Sequence, residues 1–514
     1  MQSSACENGL EHAHPPRAMR LSELLHKGLG VAPAAIVGDD RLIKDICLDS
    51  RLAGPDSAFV AVQGAQQDGL RFAEDAVRRG AVAVVAEREI EGLKQPTQAR
   101  VDDARAAASR LAATLYGLVD AQAAGYRLAG VTGTNGKSTI AYMVRAVMGA
   151  ANRPCAMLGT IQYDVVSETL AAPLTTPDPV SLVRHLMRAH AAGARDGVLE
   201  VSSHSLEQRR TAGLRFAAAV FSNLTQDHLD YHGTLEAYLA AKRRLFESLD
   251  SAATAIVNAD DPQADAIVEG CRARVLRFGF SDSADLRARI TQSDLDGSRF
   301  ILSFNGRDVD FETPLVGRHN VSNALAAIGV GLSLDVDLAK IHTAIKSLRN
   351  VPGRLQRVDT GELGFTILVD YAHTDDALRN VLVALRKPTT GRLFCVFGCG
   401  GDRDRSKRPR MARAVAKCAD RFVITSDNPR TEDPGAIIRD IEAGLTSDDV
   451  SRCDVEPDRA KAIALAISQL RRGDALIIAG KGHEDYQILG SDRIHFDDCE
   501  VAAEAVRGMG ACVR

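Results

Sequence analysis

The sequence predicts an α/β fold in three domains, with a mostly parallel sheet at the centre. Three observations carry this. Short β-rich apolar runs alternate with amphipathic helical patterns, which implies parallel strands covered on both faces. The alternation breaks twice, near residues 119–125 and at Val351-Pro352-Gly353. The 514 residues are also roughly three times an ordinary domain length.

Residues 1–19 lack the basic start and apolar core of a secretory signal and read as a disordered tail. Residues 20–120 form the first expected domain. Within it FVAV, DGLRFAEDAVRRG and AVAVVAE give a strand–helix–strand pattern. An Ala-rich helix over 103–116 and a loop around 119–125 lead out of it. Residues 121–350 form the second, with strands at RLAGVT, DGVLEVSS, AAAVFSN and TAIVN and helices over 139–148 and 234–249. Residues 351–514 restart the alternation with FTILVDYAH, RLFCVFG, RFVITSD and DALIIAG.

Apolar residues make up 45% and charged residues 25%, as in an ordinary globular protein. No apolar run approaches the ~18 residues of a membrane span, so no membrane partner is expected. A net charge of −4 argues against broad nucleic-acid binding, and the absence of Trp with only 4% aromatics argues against base-stacking platforms. The ten cysteines contain no CxxC. They read as buried free thiols of a reducing, cytoplasmic compartment.

The clearest motif is Gly130-Val131-Thr132-Gly133-Thr134-Asn135-Gly136-Lys137-Ser138-Thr139, between a predicted strand and a predicted helix. Glycines let backbone N–H groups approach phosphate oxygens, and the helix start adds donors and a favourable dipole. Lys137 is placed to reach the outer phosphates and the Ser138 hydroxyl to bind Mg²⁺. A strict phosphate loop has Gly where Val131 stands, so this is the shortened form GTNGKST.

Glu200 ends the next apolar strand, where α/β folds bind ligands; it reads as a Mg²⁺ ligand or as a solvated loop acid. Asp227, His228, Asp230 and His232 crowd the loop after a further strand. Alone they would be a capping loop; after the phosphate loop and Glu200 they read as a metal and substrate site. Lys242 lies on the following helix, where a lysine is ordinarily a solvated charge.

The motifs GTNGKST, EVSSHS, NLTQDHLDYHG, GRHNVSNALAA, VPGRLQRV, VDYAHTDDAL, GCGGDRDRSKRP, SDNPR and AGKGHEDYQ stand in this order. In this the chain resembles the Mur ligase family of ATP-dependent amino-acid ligases. The resemblance spans Leu48 to Gln487 and is closest to the branch that adds meso-diaminopimelate to UDP-MurNAc-L-Ala-D-Glu. It implies a UDP-sugar domain, an ATPase domain and a Rossmann-like domain for the amino acid, in a cytoplasmic enzyme expected to be monomeric.

Residue by residue, the resemblance places ATP at Gly133, Thr134, Asn135, Gly136, Lys137, Ser138, Thr139, Asn320, Asn323, Arg354 and Asp370. It places the UDP-MurNAc-dipeptide at Leu48, Ser50, Ala65, Gln66, Gln67, Thr175, Thr176, Ser202, Gln208 and Arg210. Two Mg²⁺ ions are implied near Ser138, Glu200, His228 and Lys242, the lysine bearing CO₂ as an N-carbamate. Lys137, Glu200, His228 and Lys242 are then the catalytic set. Two departures stand out: Ser138 where the family often has Thr, and Ala65 where some relatives carry His.

meso-Diaminopimelate carries a second amino-acid head, so its pocket needs a guanidinium for a carboxylate and acids for an ammonium. Asp427, Asn428, Pro429 and Arg430 supply both, with Arg403, Gly480 and Glu484 nearby in motif order. The rivals are the D-Ala-D-Ala-adding branch, folylpolyglutamate synthase, and a nucleotide switch without ligase chemistry. The Arg-rich GGDRDRSKRPR reads as a ligand loop, with a nucleic-acid patch as the alternative.

Overall fold

The computed structural model describes residues 17–30, 35–64, 67–93 and 96–512. Most of the expected tail, and Ala65 and Gln66, lie outside the described residues. The contacts divide the chain into two compact units, Met1–Arg287 with Leu325–Ala344, and Ala288–Ala324 with Ile345–Arg514.

The first unit is built on two larger sheets. In one, Ile36–Val37, Thr97–Arg100, Ala81–Ala86, Ser57–Val60 and Asp45–Cys47 lie side by side in that order. Pairing is parallel except at the Ile36–Val37 edge. The Ala-rich helix covers Ala104–Leu115, and the Asp103 carboxylate accepts from the Ala106 N–H at its start. Its small buried residues, Ala104, Ala107, Ala108 and Ala112, give a flat apolar face. The expected loop at 119–125 is instead largely a short helix, Leu118–Ala123, entered through Gly117 at φ 83°. Leu118 and Ala121 pack into the core while Val119 and Asp120 face solvent, a stripe too short to register as periodic.

The second sheet of this unit runs Thr169–Ala171, Gln162–Asp164, Cys155–Leu158, Asp196–Glu200, Arg127–Thr132, Ala218–Phe221, Thr254–Asn258, Arg274–Gly279. Its central strands are parallel, and an antiparallel hairpin closes one edge. Register sets Glu200 beside Val131 and Phe221 beside Thr132, so three strand ends finish level.

In the second unit, Gly297–Phe304 and Arg307–Thr313 form an antiparallel hairpin. A six-stranded sheet follows, ordered Gln356–Val358, Thr366–Asp370, Ala475–Ala479, Leu393–Phe397, Arg421–Ile424, Cys453–Val455. All its pairings are parallel but the first. Alternate residues divide between its faces. Leu368, Cys395, Phe397 and Ile477 join one core cluster, and Ile367, Val369, Phe394, Val396 and Ile478 another. Burial on both sides explains why these strands read as unbroken apolar runs. Cys47, Cys155, Cys271, Cys395, Cys399, Cys418, Cys453 and Cys499 are free thiols.

Candidate active site

The phosphate loop leaves Arg127–Thr132 and enters the helix Lys137–Ala150. Gly133 takes φ 145°, and a Cβ there would stand 1.9 Å from Ser222 Oγ, so only glycine fits. The neighbouring strand's loop braces this one. Asn223 Oδ1 accepts from the Asn135 N–H at 2.9 Å, Asn223 Nδ2 donates to Asn135 O at 3.1 Å, and the Thr134 N–H donates to Asn223 O at 2.8 Å. Ser222 Oγ donates to Asn135 O at 2.6 Å. These bonds fix a loop that lacks the first glycine of the longer motif. Lys137 Nζ curls back to Gly133 O and Thr134 O at 3.0 and 2.8 Å.

Lys242 reverses the sequence-based default. It is 1% exposed, and its Nζ donates to the same Gly133 carbonyl at 3.0 Å. The Tyr238 ring centroid lies 4.3 Å from the Lys242 Nζ. Burial, then the nearby Lys137 charge, hold this amine well below the usual lysine range, against the pull of Asp227.

Glu200 is 2% exposed at its strand end. Thr160 donates to its carboxylate from N–H and hydroxyl at 2.9 and 3.0 Å, and no basic side chain of the described residues pairs with it. Ser138 is also buried. His228 takes a left-handed backbone at φ 53°, a conformation uncommon outside glycine though favoured by His among other residues. Its ring meets His204 edge-on at 4.9 Å, and His204 also packs on Tyr231 at 4.1 Å and on His232 at 5.5 Å. Burial, with the neighbouring histidines, pushes His204 down to about 4, so it is neutral at physiological pH.

The predicted dipeptide contacts of this unit form a network. Thr176 Oγ1 donates to Glu200 O at 2.7 Å and accepts from the Ser202 N–H at 3.1 Å. Arg210 Nη1 donates to Thr176 O at 2.7 Å, and Gln208 Oε1 accepts from Arg210 Nε and Nη2. Thr175 Oγ1 lies 3.0 Å from Thr160 Oγ1. The expected uridine-side residues have local partners instead. Ser50 is committed to Asp75 at 2.9 Å, Leu48 packs partly on the core, and Gln67 accepts from the Gly64 N–H at 2.9 Å. Arg105 reaches both Gln63 O and Glu207, which in turn binds the Tyr231 hydroxyl.

The second unit carries the remaining residues. Gly480 follows Ala475–Ala479 with φ 115°, and a Cβ there would stand 2.5 Å from Asp427 Oδ2. Asn428 Nδ2 donates to Glu484 Oε2 at 2.8 Å and its Oδ1 accepts from the Ile488 N–H at 2.9 Å. Burial, then the Asp427 carboxylate, raises Glu484 above the usual range. Arg430 has φ 55° and Nη1 donating to Gly401 O at 2.8 Å. It is half-buried, less enclosed than the sequence argument assumes. Pro429 is buried between, and Arg403 is exposed on the facing glycine loop.

Most of the basic run is matched by acids within its own unit. Arg408, fully buried, binds Glu432 at 2.7 Å and Asp440 at 2.9 Å; Arg405 pairs with Asp440 and Arg410 with Asp404. Asp370 accepts from the Leu355 and Ala372 N–H groups, and Arg354 stacks 4.9 Å over Tyr371. Asn320 and Asn323 are joined to each other by a 3.1 Å bond.

Sequence reasoning passes over Asn223, Thr160, Tyr238 and His204, which hold the residues it names. Tyr238 had a signal: it lies one helical turn from Lys242 and shares its face. Asn223 and Thr160 become visible only once strand order makes their loops neighbours.

The chain matches three family descriptions in order. These are "Mur ligase family, catalytic domain" over residues 42–116, "Mur ligase middle domain" over 131–331 and "Mur ligase, glutamate ligase domain" over 353–482. A Solibacter usitatus (strain Ellin6076) protein named UDP-N-acetylmuramoyl-L-alanyl-D-glutamate--2,6-diaminopimelate ligase is 43% identical over 498 residues, covering 96% of this chain and 99% of that one. A protein of the same name from Geobacter metallireducens (strain ATCC 53774 / DSM 7210 / GS-15) is 43% identical over 489 residues, covering 91% and 95%. A solved structure of a protein of that name aligns with TM-score 0.71 and 34% identity over 96% of this chain and 100% of the other.

Proposed function

The chain belongs to the Mur ligase family, and from that premise we propose that it joins meso-2,6-diaminopimelate to the D-Glu γ-carboxylate of UDP-MurNAc-L-Ala-D-Glu. The reaction consumes ATP, yields ADP and phosphate, and belongs to cytoplasmic peptidoglycan precursor synthesis. The domains at 20–120, 121–350 and 351–514 would take the UDP sugar, ATP and the amino acid.

A carboxylate does not react with an amine in water until it has a leaving group. The γ-carboxylate oxygen attacks the γ-phosphorus of ATP, the bond to the bridging oxygen breaks, and ADP leaves an acyl phosphate. The amine attacks the acyl carbon, loses a proton, and phosphate departs. Crowded anions need cations held in place before the reaction starts. Lys137 supplies one beside the helix N-terminus. Thr176, Ser202, Gln208 and Arg210 orient the dipeptide next to Glu200.

The donor set fits Mg²⁺. Glu200 is a buried carboxylate with hydroxyl and amide donors but no basic partner among the described residues, and Ser138 adds a hard oxygen. No three His, Cys, Asp or Glu side chains of the described residues converge on one point. That suits an ion which takes few protein ligands and completes its shell with phosphate and water. Ser138, Glu200, His228 and carbamylated Lys242 would hold two ions, which offset charge on the phosphoryl oxygens. A buried lysine kept as the free amine is the form that adds CO₂: the N–C bond forms, a proton leaves, and an anionic oxygen donor results.

The single observation that carries the substrate choice is the mixed-charge pocket, Asp427, Asn428 and Glu484 beside Arg430. L-Lysine offers nothing to Arg430. Because that guanidinium is half-buried, discrimination of about tenfold to a hundredfold is expected, short of the cost of a wholly buried charge. Phosphate release measured with ATP, UDP-MurNAc-dipeptide and a panel of amino acids tests this. Turnover should require both co-substrates and favour meso-diaminopimelate; equal turnover with L-lysine refutes the assignment, and ATP hydrolysis without either co-substrate would favour a switch.

A further inference from the structure

Arg459 and Asp498 form an ion pair that the chemistry above does not use. Both side chains are 0% exposed. Arg459 Nε and Nη2 donate to the two Asp498 carboxylate oxygens at 2.7 Å each. The same guanidinium has two further bonds, Nη1 to Ser426 O at 3.3 Å and Nη2 to Ala479 O at 3.1 Å.

Those two carbonyls immediately precede Asp427 and Gly480. The strands that lead to them, Arg421–Ile424 and Ala475–Ala479, are not neighbours, since Leu393–Phe397 lies between them. Ladder hydrogen bonds join each to the middle strand but not to the other, so the sheet alone leaves the spacing of the two exits loosely set. That spacing is tight, as the approach of Asp427 Oδ2 to Gly480 shows. Asn428 passes any shift on to Glu484 through its side-chain amide.

We propose that Arg459, gripped by Asp498, is a positioning residue that fixes the two halves of the amino-acid pocket by holding the carbonyls of Ser426 and Ala479. The buried guanidinium reaches both carbonyls because its planar fork points in fixed directions, and the bidentate carboxylate stops it from rotating. This inference rests on the reading of the 427–430 and 480–484 segments as the amino-acid site. It predicts damage to amino-acid affinity with nucleotide affinity spared.

The test uses the full-length enzyme in steady-state phosphate release, varying meso-diaminopimelate and ATP in turn, with melting temperature measured in parallel. Replacing the pair by apolar residues, Arg459→Met with Asp498→Leu, leaves neither member of the pair as a lone buried charge and should preserve the fold. The diaminopimelate KM should rise about tenfold, with ATP KM within about twofold and melting temperature little changed. Arg459→Lys, which keeps a charge but loses the fork, should recover part of that loss. An unchanged diaminopimelate KM in the folded double variant overturns the inference, as does an equal rise in both KM values. Should the double variant not fold, Asp498→Asn decides by the same criterion. Arg430→Ala separates the two levels of argument. If it leaves the diaminopimelate KM unchanged, the pocket reading itself fails; if it raises that KM while the Arg459 variants do not, only the positioning role fails.

Discussion

The phosphate loop and the proposed amino-acid pocket are built on one plan and work by different means. Each lies at the carboxyl ends of parallel strands, where loops converge. The phosphate loop relies on backbone: a glycine that admits close approach, a helix start, and two lysines on one carbonyl. The other pocket relies on side chains of both signs, contributed by separate loops and held by bonds to buried partners. A triphosphate is a compact anion that amides and ammonium groups satisfy from any nearby chain position. A zwitterionic head needs opposite charges at set distances. Single changes in the first region should therefore cost turnover or nucleotide affinity, and changes in the second should weaken amino-acid binding.

The largest effect is expected at Lys242. Lys242→Ala should lower kcat by about a hundredfold or more, with the diaminopimelate KM little changed, and added bicarbonate should not restore it. Wild-type enzyme depleted of CO₂ should lose activity and recover it with bicarbonate. The pH dependence follows from the depressed amine. Its free form persists to lower pH than an ordinary lysine's, so activity should extend further towards acid than an unshifted lysine would allow, and fall as acid protonates the amine. Undiminished turnover in Lys242→Ala would remove the lysine from the reaction and leave the first region resting on its backbone alone.

A smaller loss, in the same region, is expected at Asn223. Its amide binds both the N–H and the C=O of Asn135, closing the shortened loop against the next strand. Asn223→Ala removes two hydrogen bonds and should weaken ATP binding about tenfold, read by titration with a fluorescent nucleotide, while leaving diaminopimelate KM unchanged. Asn223→Asp keeps the acceptor but loses the donor and should fall between. If both variants bind ATP normally, the loop is stiff without its brace.

How much of this was legible in the sequence follows the same division. The phosphate loop is contiguous, so its seven residues can be read in a row, and the alternation of apolar runs gives the parallel sheets directly. Lys242 was visible as a residue but not as a buried one, because a helical period does not say which face a neighbouring loop covers. Asn223, Thr160 and the Arg459–Asp498 pair were not readable as struts, since each acts across strands far apart in sequence. The antiparallel hairpin at Gly297–Thr313 escaped for another reason: its half-exposed strands lack the unbroken apolar runs used to find the rest. The helix Leu118–Ala123 was too short to show a period.

The smallest expected effect separates affinity from stability in the amino-acid pocket. Glu484 is raised first by burial and second by Asp427, so its surroundings favour the protonated carboxyl. For a carboxyl whose folded-state pKa is raised, the favourable contribution is complete below the unfolded value and is lost as pH rises through the folded one. At neutral pH the charged group is therefore a net cost, which on the proposed reading a substrate ammonium would offset. Glu484→Gln should raise the melting temperature of the ligand-free enzyme at neutral pH by about 2 °C, with the difference shrinking towards acid pH, while the diaminopimelate KM rises. A variant that loses stability at neutral pH would mean that Lys481, 3.5 Å from Glu484, already compensates the charge. In that case Glu484 would already be in a settled ion pair without substrate, unlike Glu200 of the phosphate region, which has no basic partner among the described residues.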